Sequence, residues 1–170
     1  MRYWIAILLV QAVGGLGFTS WSSAWAESLS IPREIRIPNR TGSQCVWCSL
    51  ETAARYHKIE QLYGLTARYK GTAGPGNVEP VLQRANVRYR MAQTGCRATW
   101  WLKDSIDKGY PVAVGLNGSH MVTLVGWADG YYEIIDNSDR ALEVRRWPAA
   151  RFERSWDGWA IALIPDGAGK

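Results

Sequence analysis

The stretch Gly42-Ser43-Gln44-Cys45-Val46-Trp47-Cys48-Ser49-Leu50 decides how this chain is read. A turn ends at Gln44 and helical spacing begins directly after it. Val46, Leu50, Ala53 and Ala54, then His57, recur at intervals of three and four, with Glu51, Arg55 and Lys58 between them. The spacing predicts a helix from about Val46 to Tyr63, closed by Gly64. Cys45 therefore stands at a helix start. The unpaired amides of a first turn and the positive end of the helix dipole favour thiolate there, and the same amides can bind an oxyanion. Taken alone, the position suits a structural thiol equally well.

Upstream, residues 27–44 contain Pro32 and Pro38 and read as an extended lead-in ending in a turn. Downstream, Gly71 to Asn77 is predicted to be a flexible loop, followed by a short helix from Val78 to Ala85. Val87, Tyr89 and Met91 alternate with Arg88 and Arg90, the period of a half-buried strand. Thr99 is placed to cap a helix carrying Trp100, Trp101, Leu102 and Ile106, stopped by Gly109. The period then becomes two. Pro111–Leu116, His120–Trp127 and Tyr131–Ile135 read as strands, with the hairpin pair Asp129-Gly130 between the last two, and Trp159–Ile164 closes the sheet. Helices first and a mostly antiparallel sheet last define an α+β fold.

His120, one of only two histidines, opens an apolar strand directly after the turn Asn117-Gly118-Ser119. A proton-transferring base is well held at a strand end. The Asp129-Gly130 hairpin returns the next strand beside it, and that strand ends at Asp136-Asn137, two candidates for a group that orients the imidazole. His57, on the apolar face of the first helix, reads as a packed residue.

Length and composition describe a single globular domain. The chain has 170 residues, 47% of them apolar and 21% charged, and ten tryptophans that favour a compact aromatic-rich core. Residues 1–26 read as a signal peptide. Arg2 precedes the apolar Trp4–Val13, and Ala24-Trp25-Ala26 resembles a cleavage site. The apolar run is short for a membrane span and is broken by Gly14, Gly15 and Gly17. A retained anchor is the alternative. Removing the segment takes away Arg2 and no acidic residue, so the net charge of +5 becomes +4. The mature domain is then 27–170, secreted or periplasmic, with no stable membrane span. Its arginines are scattered, which favours a solvated surface over a nucleic-acid site. Three cysteines, Cys45, Cys48 and Cys96, leave an odd thiol in an exported chain.

The order Cys, His, Asp/Asn, with Cys opening a helix and His a strand, resembles the papain-like cysteine peptidase superfamily and, within it, the bacterial C39-like peptidases. Cys45-Val46-Trp47-Cys48-Ser49-Leu50 is similar to that family's nucleophile segment. Ser119 to Gly126 is similar to its histidine strand, and Tyr132-Glu133-Ile134-Ile135-Asp136 to the strand ending in its aspartate. The likeness covers roughly residues 35–165. It implies a papain-like fold and Cys45 as nucleophile, His120 as general base and acid, and Asp136, with Asn137 as rival, as the orienting residue. It also implies an exported peptidase or amidohydrolase acting on a peptide or protein substrate through a thioester, with no metal and no organic cofactor. The sequence departs from the family at two places. Asn39 stands where a glutamine helps form the oxyanion hole, and Val46 replaces a glycine. The competing readings are an inactive peptide-binding module, disulfide chemistry at Cys45 and Cys48, a Cys48–Cys96 disulfide, and a zinc site built from the three cysteines and His120.

Overall fold

The computed structural model describes residues 28–93 and 98–167. The expected signal peptide and the roles expected of Cys96 lie outside the described residues. The helices are α1 (Cys45–Tyr56), α2 (Leu65–Arg68), α3 (Pro75–Arg84), α4 (Thr99–Asp107) and α5 (Ala149–Ser155). The strands are β1 (Arg88–Ala92), β2 (Val112–Leu116), β3 (His120–Ala128), β4 (Tyr131–Ile135), β5 (Val144–Pro148) and β6 (Trp156–Ile164). They form one sheet in the order β1-β6-β2-β3-β4-β5, with every neighbouring pair antiparallel. This is the α+β architecture expected from the sequence.

The two faces of the sheet carry different cores, because side chains alternate along each strand. Ala113, Met121, Trp159, Ile161 and Leu163 pack with α1, α2 and α3. Val112, Val114, Val122, Leu124, Ala160 and Ala162 pack with Trp101, Leu102 and Ile106 of α4 and Phe152 of α5. Both faces are covered, so β2 and most of β3 and β6 are buried throughout. Two tight turns fold the centre of the sheet. Asn117 and Gly118 join β2 to β3, Asp129 and Gly130 join β3 to β4, and all four residues have positive φ, as a type I′ turn requires.

Helix α1 is shorter and more deeply buried than its periodicity predicts. It ends at Tyr56, seven residues before Tyr63. Lys58 turns left-handed (φ 58°), the Ile59 amide bonds the Ala54 carbonyl at 2.8 Å and the Lys58 amide bonds Arg55 at 3.2 Å. That pattern is a Schellman stop, closed by the buried Ile59 and carrying a lysine in the usual glycine place. Gly64 does not terminate the helix. With φ 73°, it precedes α2 as its N-cap.

All residues from Cys45 to Ala54 are buried, Glu51 included at 2% exposure. Glu51 falls between the apolar positions of the helical period, yet it has no solvated face. Instead its carboxylate accepts hydrogen bonds from the Arg55 guanidinium, the Gly64 and Thr66 amides and the Thr66 hydroxyl, at 2.8–3.1 Å. Burial opposes its ionisation, but these donors outweigh burial and hold its pKa below the ordinary glutamate value.

Other boundaries also move. Helix α3 starts at Pro75, inside the predicted loop, because proline at the first helical position loses no hydrogen bond. Ala98 occupies the N-cap of α4, and Thr99 is its first helical residue. Strand β5 and helix α5 were not expected. Strand β5 is a largely exposed edge strand, so it lacks the apolar alternation that marks a buried one. Among the described residues, no helix is long and apolar enough to cross a membrane.

Glu51→Ala leaves the Gly64 and Thr66 amides without their acceptor and should cost about 3 kcal/mol of stability at pH 7. Because the folded-state pKa of Glu51 is lowered, its contribution is present above the ordinary glutamate range and lost as the pH falls. Urea unfolding at neutral and acidic pH should show the gap between wild type and variant narrowing in acid.

Candidate active site

Cys45 is the first residue of α1 and His120 the first of β3, so the packing of that helix on that strand brings thiol and imidazole together. The His120 ring donates through Nε2 to Asp136 Oδ1 at 2.8 Å. Its other nitrogen, Nδ1, is not engaged by Asp136, and the ring is electrostatically coupled to the Cys45 thiol, which lines the same cleft. Asp136 directly follows β4 and is fixed by its neighbour. The Ser138 hydroxyl and amide both donate to Asp136 Oδ1, at 2.6 and 3.0 Å. Thiol, imidazole and carboxylate thus stand in one row.

Asn137, the alternative to Asp136, does not meet the imidazole. Its buried Nδ2 lies within 3.0 Å of the carbonyls of Cys45 and Met121 and of Ser49 Oγ. One side chain therefore links the helix bearing the thiol to the strand bearing the imidazole. Its own carbonyl accepts the Asn39 amide at 2.8 Å. Asn39 Oδ1 in turn accepts the Gln44 amide at 3.1 Å, and its Nδ2 makes no hydrogen bond among the described residues. Gln44, buried beside the thiol, donates through Nε2 to the carbonyls of Thr66 and Tyr69 at 2.8 and 2.7 Å. The turn before Cys45 is thereby tied to the segment around α2.

The electrostatics separate the two cysteines of α1. Burial opposes ionisation of Cys45. The hydrogen bond to His120, those to the Met121 and Val46 backbone and the nearby imidazolium charge together overcome it, and the thiol's pKa is lowered. Cys48, at 1% exposure, has no such partners. Burial and the Cys45 and Glu51 charges push its thiol up to about 12. His120 is raised to about 9, first by its bond to Asp136 and then by Cys45, against burial. Asp136 is held well below the usual carboxylate range, chiefly by His120, then by Ser138, again against burial. At neutral pH the imidazole is protonated and the carboxylate ionised, and the imidazolium beside Cys45 favours its thiolate. His57 is lowered to about 4 by burial and packs edge-on against Tyr56 and Tyr110, as a structural residue does.

A cleft of about 420 Å³ opens on this row, lined by Cys45, Val46, Thr72, His120, Asp157 and Trp159 among others. Two other hollows lie along β1 and contain no pairing of nucleophile and base. Asp157 and Trp159 line the cleft without a local sequence signal that singles them out. Asp157-Gly158 is a turn signal, and nothing in it tells which cavity the turn will border. The linking role of Asn137 was also missed, since a buried amide between two elements leaves no local pattern. Among the described residues, no group of three or more His, Cys, Asp or Glu is placed to hold a metal ion.

The chain has the papain-like fold of the C39 peptidase domains. Its backbone is similar to that of a double glycine motif protease from an AMS/PCAT transporter, solved in complex with the leader peptide. That likeness has a TM-score of 0.56 and 19% identity, over 81% of this chain and 94% of that one. It is similar as well to the peptidase domain of Streptococcus ComA, a bi-functional ABC transporter involved in a quorum sensing pathway (TM-score 0.56, 23% identity, 76% and 97% covered). A Bacillus anthracis protein described as a C39-like peptidase gives a TM-score of 0.60 at 15% identity, with 79% and 94% covered. The sequence matches no protein-family model and no curated protein.

Brief, limiting treatment with iodoacetamide at pH 7 should alkylate Cys45 at least about 30-fold faster than Cys48, since thiolate fraction outweighs the lower nucleophilicity of the more acidic thiol. In His120→Ala, the loss of the hydrogen bond and positive charge leaves burial dominant. The Cys45 rate should fall and its pH profile move to higher pH, as read by peptide mapping.

Proposed function

We propose that this protein is a cysteine peptidase that cleaves peptide-type bonds in a peptide or protein substrate. The observation that carries the reading is the Cys45–His120–Asp136 row at the mouth of a cleft, with Cys45 lowered and His120 raised in pKa. A fold shared with a peptidase that has been solved holding a leader peptide supports a peptide substrate.

In this mechanism the Cys45 thiolate attacks the substrate carbonyl carbon. The Cys45 backbone amide, an unpaired donor of the first helical turn, takes the developing oxyanion. Asn39 assists through Nδ2, the end of its side chain not engaged with Gln44. The imidazolium gives its Nδ1 proton to the leaving amine as the tetrahedral intermediate collapses to a thioester. His120, now neutral, takes a proton from water, whose hydroxide attacks the thioester. The acid product leaves and the ion pair is restored. Asp136 holds the ring in the orientation that keeps Nδ1 towards sulfur and stabilises its charge.

The reaction is tested by following cleavage of a mixed peptide pool by mass spectrometry. Cys45→Ala should lose all turnover while keeping its thermal transition, and His120→Ala should lose about 10²–10⁴-fold. The rate should fall as the pH rises through about 9, where His120 gives up the proton that the leaving group needs. Cleavage that survives in Cys45→Ala overturns the assignment. A wild type that holds peptides without cutting them makes the domain a binding module.

We further propose that the protein is exported and matures by removal of residues 1–26. Intact-mass analysis of the exported protein should then place its first residue at Glu27. A chain still beginning at Met1 in the membrane fraction would mean a retained anchor.

A further inference from the structure

The cleft contains one carboxylate that the mechanism does not use. Asp157, near the start of β6, is held over Gly115 of β2, where an added Cβ would stand 2.6 Å from Oδ1 and 2.7 Å from Oδ2. Only a glycine leaves room for the carboxylate in that position. Asp157 Oδ2 accepts the Gly118 amide at 3.0 Å and Oδ1 accepts the Trp159 amide at 2.9 Å. Each oxygen of a carboxylate can accept two hydrogen bonds, so one site on each remains open.

Among the described residues, no lysine or arginine lines the cleft and Asp157 makes no ion pair. Apart from Cys45, His120 and Asp157, the described lining residues carry no charge, and Asp157 is the one carboxylate among them. Trp159 lines the same cleft, and aromatic side chains attract cations. A rigid carboxylate, two open acceptor sites and an aromatic neighbour form a receptor for a positively charged group.

We infer that Asp157 is a specificity-determining residue that binds the ammonium or guanidinium of a lysine or arginine side chain adjoining the scissile bond. The inference rests on the reading of Cys45 as nucleophile. A turn-holding role alone would need the two accepted amide bonds and not the charge, so the two roles can be separated by experiment.

The test uses N-acetylated dipeptidyl vinyl sulfones with lysine, norleucine or glutamate at the first or second residue before the electrophile. Cys45 modification is timed by intact mass and peptide mapping. One charge-assisted hydrogen bond predicts that the lysine probe labels Cys45 about tenfold faster than its norleucine counterpart, with glutamate slowest. In Asp157→Asn, which keeps an acceptor and loses the charge, the lysine-to-norleucine ratio should fall to about one. Should that variant fail to fold, the order of rates in the wild type decides alone. Equal rates for lysine and norleucine, or a lysine preference that persists in folded Asp157→Asn, would overturn the inference. If iodoacetamide labels Cys45 rapidly in those same samples, the nucleophile reading still stands. Failure of every reagent at Cys45 would remove that reading, and this inference with it.

Discussion

The site depends on the way one end of α1 is fastened to the sheet. Asn137 sits at that joint, its Nδ2 close to the Cys45 carbonyl and Ser49 hydroxyl of the helix and to the Met121 carbonyl of β3. Cys45 and His120 are 75 residues apart in the chain, and their meeting requires the helix to have one axial position on the strand. A buried amide with partners on both elements supplies that constraint, because sliding either one would leave polar groups unpaired in the interior. The Ser49 hydroxyl, 3.4 Å from the Met121 carbonyl, adds a second tie across the same junction.

The far side of α1 is fastened by charge. A helix buried on all sides from Cys45 to Ala54 has no solvated face on which to place Glu51. The carboxylate is accommodated because Arg55, Gly64 and Thr66 surround it with donors. Gln44 bonds the carbonyls of Thr66 and Tyr69, at the other end of the same short helix. Helix α2 thus closes over α1 through polar groups at both ends, and the apolar residues Leu62 and Leu65 fill the space between.

Within this frame, two thiols one helical turn apart differ in their chemistry. Both are buried, and burial alone raises a thiol's pKa. Cys45 differs by standing at the helix end against an imidazole that Asp136 keeps protonated, whereas Cys48 lies a turn deeper with only negative neighbours. The proposed nucleophile is therefore selected by its place in the fold, since both side chains are the same.

Much of this was legible in the sequence because the signals are local. The change from a helical period to a period of two, the Asp129-Gly130 turn, and the positions of Cys45 and His120 at the starts of their elements follow from neighbouring residues alone. So does the α+β class. Tertiary structure decided the rest. The Schellman stop at Lys58 shortens α1 because Ile59 finds a buried place there, and no residue nearby announces it. Strand β5 exists because β4 offers it an edge. Asp136 and Asn137 are adjacent and chemically alike in sequence. The return of β4 beside β3 aims one at the imidazole and buries the other in the joint with α1. Asp157 likewise enters the cleft only because β6 lies beside β2, where Gly115 leaves room for its carboxylate. Sequence determines which groups are available and the local shapes they adopt. Distances between residues far apart in the chain are set by the packing of whole elements, which no single segment encodes.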